Sequence, residues 1–215
     1  MTTSSDQRNE PPSAALRSRW LTALLPRVPS EGWSGRAATN AACDAGLNAG
    51  EQALAAPGGV RDLMEAFFDR ADAETRTAIA AQDLLDMKIH ERVAFGLRTW
   101  LDTLASEREA VRRASARAFW PFSAGDAAQR CWSVADMVWE AIGDTSDDYN
   151  RYTKRGLLTA VIPPIVAYWL TSPDSDAMDA FIAKRLRRAM WVGKTGGQFV
   201  KPVLDAFSRR PGPAA

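Results

Sequence analysis

A run of acidic, basic and tyrosine side chains between residues 143 and 155 is the part of this sequence with the most chemical potential. Ser146 is expected to cap a helix there, because a serine oxygen can accept hydrogen bonds from the first backbone N–H groups of a helix. Asp148, Tyr152 and Arg155 then recur at i, i+4 and i+7, which predicts that they share one stripe. This stripe is either a binding surface or a solvated helix start with local ion pairs.

Other carboxylates that could do acid–base chemistry are Asp83, Asp86 and Glu91, together with the adjacent pair at 147–148. They lie in mixed-charge helical sequence, where a solvated helix face is the more common arrangement. His90 is the only histidine, which nearly excludes a serine triad, a His-based zinc site and a Glu-x-x-His di-iron site. The sequence therefore predicts no catalytic residue, no metal and no cofactor, while an enzyme with an unrecognised site remains an alternative.

The composition is that of a globular protein with a real core. The 215 residues carry a net charge of +1, and a protein that depends on phosphate contacts usually has a clear basic excess. Cys43 and Cys131 are far apart and have no metal-ligand spacing, so free thiols in a reducing compartment are expected. No apolar run is long enough to span a bilayer, and the polar first residues lack the apolar core of a secretory signal.

The chain is expected to be all-α, because the alternating β-branched runs that mark strands are missing. Ser13, Ser34 and Asn48 are the expected helix caps, and Pro163-Pro164 should kink or break the helix that contains them. Later helices are expected near 84–104, 107–119, 123–142, 147–170, 176–192 and 199–208. The predicted organisation is a disordered tail at 1–12, a degenerate helix-turn-helix subdomain at 13–70, a helical ligand-binding domain at 71–192, and a hinge, short amphipathic helix and loose tail at 193–215.

The hinge is placed at Gly193-Lys194-Thr195-Gly196-Gly197. This segment has some of the residues of a phosphate-binding loop. It lacks the full spacing of that motif, and no strand is expected before it. A flexible hinge is the better interpretation.

The first third of the chain resembles the helix-turn-helix domain of tetracycline-repressor-type regulators, and the rest would be the helical ligand domain of that fold. The candidate recognition helix, residues 48–56, contains no Arg or Lys, and Glu51 would face a polyanion. Nucleic-acid binding is therefore not expected. A repressor-class regulator remains the main alternative, with Arg17, Arg19 and Arg61 as possible phosphate contacts.

A second resemblance accounts for both the repressor-like helix layout and the absence of Arg and Lys from the candidate recognition helix. The segment Trp139-x-x-x-Gly143-Asp144-x-Ser146-x-Asp148-Tyr149-Asn150-x-Tyr152-Thr153-Lys154-Arg155-x-Leu157 resembles the central motif of the coenzyme Q (ubiquinone) biosynthesis accessory lipid-binding family, whose fold is tetracycline-repressor-like. Weaker similarity extends over most of residues 14–192. One departure is Arg151, where animal members have an aromatic residue.

The resemblance implies a non-enzymatic role. Such a protein would bind isoprenoid quinone intermediates and present them to the di-iron demethoxyubiquinone hydroxylase. The residues implied in docking that partner are Trp139, Asp144, Asp148, Asn150, Tyr152 and Arg155. We further expect a homodimer. A helical interaction domain without a ligand remains an alternative.

Eight tryptophans raise the expectation of an apolar ligand or a membrane contact. Trp100, Phe119, Trp120 and Trp132 are the candidate lipid-binding residues, although they fit an ordinary core equally well. The resemblance also implies a C-terminal amphipathic helix on an anionic membrane, with Lys184, Arg185, Arg188 and Trp191 as the contacts. The alternative is a helix that packs on the body of the protein. A bacterial-type cytoplasm with peripheral membrane association is expected, or the matrix side in a mitochondrion.

Overall fold

The structure is a computed structural model that describes residues 11–118, 124–145, 149–172 and 174–208. Within these ranges it is helical and contains no strand, which confirms the all-α fold class. Short 3₁₀ turns occupy residues 25–27 and 105–107. The helices are α1 (Pro12–Leu24), α2 (Val28–Glu31), α3 (Gly35–Asp44), α4 (Ala49–Ala55), α5 (Val60–Ala80), α6 (Ile89–Thr103), α7 (Arg108–Ala118), α8 (Ala124–Ala141), α9 (Tyr149–Thr171) and α10 (Ser175–Ser208).

The chain divides into two compact units. The first unit contains residues 1–78 and 100–127, and the second contains residues 79–99 and 128–215. This division follows packing rather than chain order, because α5, α6 and α8 each contribute to both units. The predicted boundaries divide the chain by sequence alone, and they stay a prediction.

Two local signals set the residues at which α3 and α4 begin. The hydroxyl of Ser34 accepts a hydrogen bond from the Ala37 amide and caps α3. Asn48 and Glu51 form a reciprocal capping box at the start of α4. Both caps were predicted and are confirmed. The predicted Ser13 cap is wrong, since α1 already begins at Pro12, where the fixed φ of proline suits the first helical position.

Buried tryptophans organise the core of the first unit. The indole of Trp20 donates to the Ala38 carbonyl at 2.8 Å, and that of Trp33 donates to the Ala110 carbonyl at 2.9 Å. The Trp33 ring also packs on Phe67, with ring centroids 5.6 Å apart. Alanines fill the buried face of α3, so α1 can pack closely against it.

Two predicted interruptions do not appear as breaks in the helices, and a kink at Pro163-Pro164 stays a prediction. Helix α9 continues through Pro163 and Pro164 to Thr171. Pro163 and the neighbouring Ala160 are exposed, so carbonyl groups that lose their helical donor there can bind water. Helix α10 continues through the glycine-rich segment 193–197, where a hinge was predicted. Each glycine costs about 1 kcal/mol relative to alanine but keeps its N–H donor, so glycines disfavour a helix without preventing it.

Candidate functional site

The centre of the predicted site is a buried arginine. Arg155, on α9, is only 2% exposed. Its Nε donates to Oδ1 of Asp136 on α8, and its Nη1 lies 3.4 Å from Oδ2 of Asp144. The side chain of Asp144 is 5% exposed, so the second pair is desolvated on both sides. These three residues, here called the Arg155 network, connect α8, the turn after it and α9.

The turn between α8 and α9 places Asp144 in this network. Gly143 has a φ of +84°, a left-handed conformation that favours glycine. Its amide donates to the Glu140 carbonyl at 3.0 Å, and the Asp144 amide donates to the Trp139 carbonyl at 3.0 Å. This is the Schellman arrangement that ends a helix by turning the chain back on itself. The Gly-Asp pair of the motif therefore ends α8 and places the Asp144 carboxylate beside Arg155.

Partly exposed ion pairs surround the network. Lys154 Nζ lies 2.8 Å from Asp144 Oδ1 and 5.1 Å from the centroid of the Trp139 ring. Arg151 Nη2 lies 3.6 Å from Asp136 Oδ1 and 3.7 Å from Glu140 Oε1. The three cations of this segment therefore each have carboxylate partners within the protein.

Asp136 and Glu140 were missed by the sequence reasoning. A signal for them existed, since both lie one turn apart on α8 while Arg151 and Arg155 lie one turn apart on α9. Matched i, i+4 pairs of opposite charge on consecutive helices indicate that those faces pack together. The spacing alone does not show which arginine is buried.

The predicted common stripe of Tyr152 and Arg155 is not observed. Tyr152 is 65% exposed, while Arg155 points inward to α8. The Tyr152 ring stacks on the half-buried ring of Trp132, with centroids 6.5 Å apart and an interplanar angle of 27°. Of the other predicted docking residues, Trp139 is buried. Ser146, Asp148 and the side chain of Asn150 lie outside the described residues.

The candidate lipid-binding residues are dispersed. Trp100 is buried in the first unit. Trp132 belongs to the second unit and lies beside Tyr152. Phe119 and Trp120 lie outside the residues that the structure describes. A lipid site made of these four residues stays a prediction.

Helix α10 packs one face on the protein and leaves a basic face exposed. Met178, Ile182 and Leu186 are buried. Lys184, Arg187 and Arg188 are exposed, as is Trp191 at 66%.

One of the predicted membrane contacts is instead drawn toward the protein. The Arg185 guanidinium lies 4.8 Å from the ring centroid of Phe181, and that ring stacks on Tyr168 at 4.1 Å. Arg187, which belongs to the same basic cluster, is more exposed than Arg185. Membrane binding by this helix stays a prediction. No helix among the described residues has both the length and the hydropathy to cross a bilayer.

Two of the carboxylates considered for catalysis cap local backbone amides. Asp83 accepts from the Leu85 amide, and Glu91 accepts from the Lys88 amide at the start of α6. Burial raises the pKa of the Cys131 thiol, which disfavours the nucleophilic thiolate. In the part of the chain that the structure describes, no three His, Cys, Asp or Glu side chains are grouped as metal ligands.

The arginines near the candidate recognition helix have intramolecular partners. Arg17 Nε donates to the Ala55 carbonyl at 2.6 Å. Arg19 lies 4.0 Å from Glu51, and Arg61 lies 3.1 Å from both Glu65 and Asp126. Phosphate contacts at these positions would have to compete with those partners.

Sequence comparison relates the chain to one family. The COQ9 family model matches residues 124–193, which include α8, α9 and the Arg155 network. Ubiquinone biosynthesis protein COQ9, mitochondrial, from Homo sapiens is 28% identical over 201 residues, covering 89% of this chain and 63% of the human protein. The Bos taurus protein of the same name is 27% identical over 201 residues, covering 89% of this chain and 62% of its own length. The chain thus spans less than two thirds of these relatives.

Structural comparison relates the fold to a transcriptional regulator. A TetR transcriptional regulator from Nitrosomonas europaea superimposes with a TM-score of 0.64 at 19% sequence identity, covering 82% of this chain and 98% of the regulator. This similarity shows the fold alone. Together the comparisons confirm both resemblances predicted from the motif and the helix layout: the chain is similar in sequence to the COQ9 proteins and has a tetracycline-repressor-like helical fold.

Proposed function

We propose that this protein is a non-enzymatic accessory protein of ubiquinone biosynthesis that binds isoprenoid quinone intermediates and presents them to the di-iron demethoxyubiquinone hydroxylase. The observation that carries the proposal is the match of residues 124–193 to the COQ9 family, over the segment that contains the Arg155 network and the exposed Tyr152. The relatives in this family are named for ubiquinone biosynthesis.

The arrangement of the motif supports a binding role rather than catalysis. A general acid or base needs a titratable group that can reach a substrate. Here Arg155 is buried, and its carboxylate partners Asp136 and Asp144 are held in ion pairs with cations of α9. The described charged residues of the motif therefore pair within the protein, while the described Tyr152 is exposed.

Lipid binding can be tested on the purified protein. Organic extracts are expected to contain a polyprenyl quinone or a similar isoprenoid, and added quinone analogue should quench tryptophan emission. The physical basis is burial of the tail, since each buried methylene contributes about 0.8 kcal/mol. Tyr152→Ala is the matched control, because it alters the docking face and should load lipid as wild type does. Empty extracts and unchanged emission in both proteins would contradict the lipid role.

Peripheral membrane association is the second part of the proposal, and it is supported by the exposed basic face of α10. Replacing Lys184 and Arg188 with Glu should weaken binding to anionic vesicles by at least about 2 kcal/mol, or roughly thirtyfold, because each basic residue near such a surface contributes about 1 kcal/mol. Binding should also fall as salt rises. Vesicle flotation measures the effect.

The control for this experiment is a double variant with the same change in charge on another helix. Arg70→Glu with Arg76→Glu alters two exposed arginines of α5. This variant should float nearly as wild type does. Equal losses in both double variants would indicate a general charge effect and would exclude α10 as the anchor.

The relatives' names include the word mitochondrial, so in a eukaryote we place the chain on the matrix side of the membrane.

DNA binding by a repressor-class regulator is the second candidate function, and the fold similarity to a TetR regulator favours it. The capping role of Glu51 and the ion pairs of Arg19 and Arg61 count against it. Retention of genomic DNA fragments at low salt would support this function, provided that Arg19→Ala weakens the retention.

A further inference from the structure

The exposed Tyr152 ring belongs to a pair. Trp132, which lies on α8 outside the sequence motif, stacks on it with an interplanar angle of 27°. Tyr152 is largely exposed and Trp132 is half-buried, so the two rings form one aromatic surface contributed by two helices. Trp132 is partly anchored by the protein, which limits the conformational entropy that it would lose on binding.

Two described cations that neighbour Tyr152 along α9 are already compensated. Arg151 is held by Asp136 and Glu140, and Lys154 is held by Asp144. A partner that approaches the two rings therefore meets aromatic carbon bordered by these internal ion pairs. Such a surface is complementary to an uncharged, apolar patch, because a charged partner group would be desolvated there without gaining a counter-ion.

We propose that Trp132 and Tyr152 act together as a two-ring anchor for an uncharged, apolar patch on the hydroxylase. This inference rests on the proposed function, and it assigns Trp132 to partner docking instead of lipid binding. Aromatic residues at the centre of an interface are often those whose truncation costs the most affinity. Because the anchor carries no net charge, docking depends weakly on salt.

A double-mutant cycle tests the anchor. The dissociation constant for the hydroxylase is measured for wild type, Trp132→Ala, Tyr152→Ala and the double variant, at low and at high salt. Each single variant should bind at least about tenfold more weakly. The double variant should lose less than the product of the two single losses, since the rings contact each other. Wild-type affinity should change by less than about threefold with salt, and quinone loading of Trp132→Ala should equal that of wild type.

A conservative pair of variants separates docking from folding. Trp132→Phe keeps an aromatic ring and should bind nearly as wild type does, while Trp132→Met keeps an apolar side chain without a ring and should bind more weakly. Comparing these two variants shows whether the ring of Trp132 takes part in docking, even if Trp132→Ala does not fold.

Several results would overturn the inference. Unchanged docking by Trp132→Ala or Trp132→Met would do so, and a selective loss of quinone loading would return Trp132 to the lipid site. Strong salt dependence would contradict the uncharged contact. Failure of the wild-type protein to bind the hydroxylase at all would instead contradict the proposed function, and the inference with it.

Discussion

Replacing Arg155 with Met is expected to lower the free energy of unfolding by about 3–5 kcal/mol. Arg155 is 2% exposed and lies between two carboxylates, those of Asp136 and Asp144. Methionine fills much of the space but removes the positive charge, so the desolvated Asp144 loses part of its compensation. Urea denaturation followed by circular dichroism measures the change.

Arg151→Met is a close control for this substitution. Arg151 lies one turn before Arg155 on the same helix and shares the partner Asp136, but its side chain is 39% exposed. Exposed ion pairs typically contribute less than about 1 kcal/mol, so Arg151→Met should destabilise the protein only slightly. Equal losses from the two substitutions would show that burial does not set the strength of the Arg155 network. An Arg155→Met variant whose free energy of unfolding is close to that of wild type would show that the network is dispensable for stability.

The features that the sequence predicted well are those set by local rules. Ser34 and Asn48 cap their helices because a short polar side chain just before an apolar helical pattern can reach the first free amides. The layout of helices and the central motif were likewise sufficient to predict the fold class and the family resemblance. Each of these features depends on residues that are close together in the chain, so it can be recognised from the sequence.

The features that the sequence did not predict depend on packing between helices. Asp136 lies 19 positions before Arg155, and their contact arises only when α8 packs on α9. The burial of Arg155 and the exposure of Tyr152 follow from that same contact, although both were expected on one stripe. Pro163-Pro164 was expected to kink or break α9 on local grounds, and the helix continues to Thr171 with Pro163 exposed to solvent.

The segment from α3 to α4 combines a well-formed turn with an acidic side chain on the second helix. The turn between α3 and α4 is well formed, with Gly46 at a φ of +66° and a capping box at Asn48. That capping box uses Glu51, an acidic residue on the helix that would face DNA. The interaction that stabilises the helix therefore also places negative charge where a phosphate backbone would have to approach.

Tyr152→Ala is expected to weaken binding to the hydroxylase by about 2 kcal/mol, or roughly thirtyfold, because an aromatic anchor at an interface is costly to truncate. Tyr152 is 65% exposed in the free protein, so the free energy of unfolding should change by less than about 0.5 kcal/mol. The stacked Trp132 ring and the Arg155 network both remain in place in this variant. Titration calorimetry with the hydroxylase and urea denaturation measure the two quantities on the same preparation.

Tyr168→Ala, on the same helix, provides the opposite control. The half-buried Tyr168 ring stacks on Phe181 at 4.1 Å and joins α9 to α10. Its removal should cost about 1–3 kcal/mol of stability, and it should leave hydroxylase affinity unchanged at temperatures where the variant is folded. The two tyrosines thus separate docking from folding along one helix. If Tyr152→Ala lost stability as Tyr168→Ala does, or bound the hydroxylase as wild type does, the exposed end of α9 would be a solvated helix start rather than a docking surface.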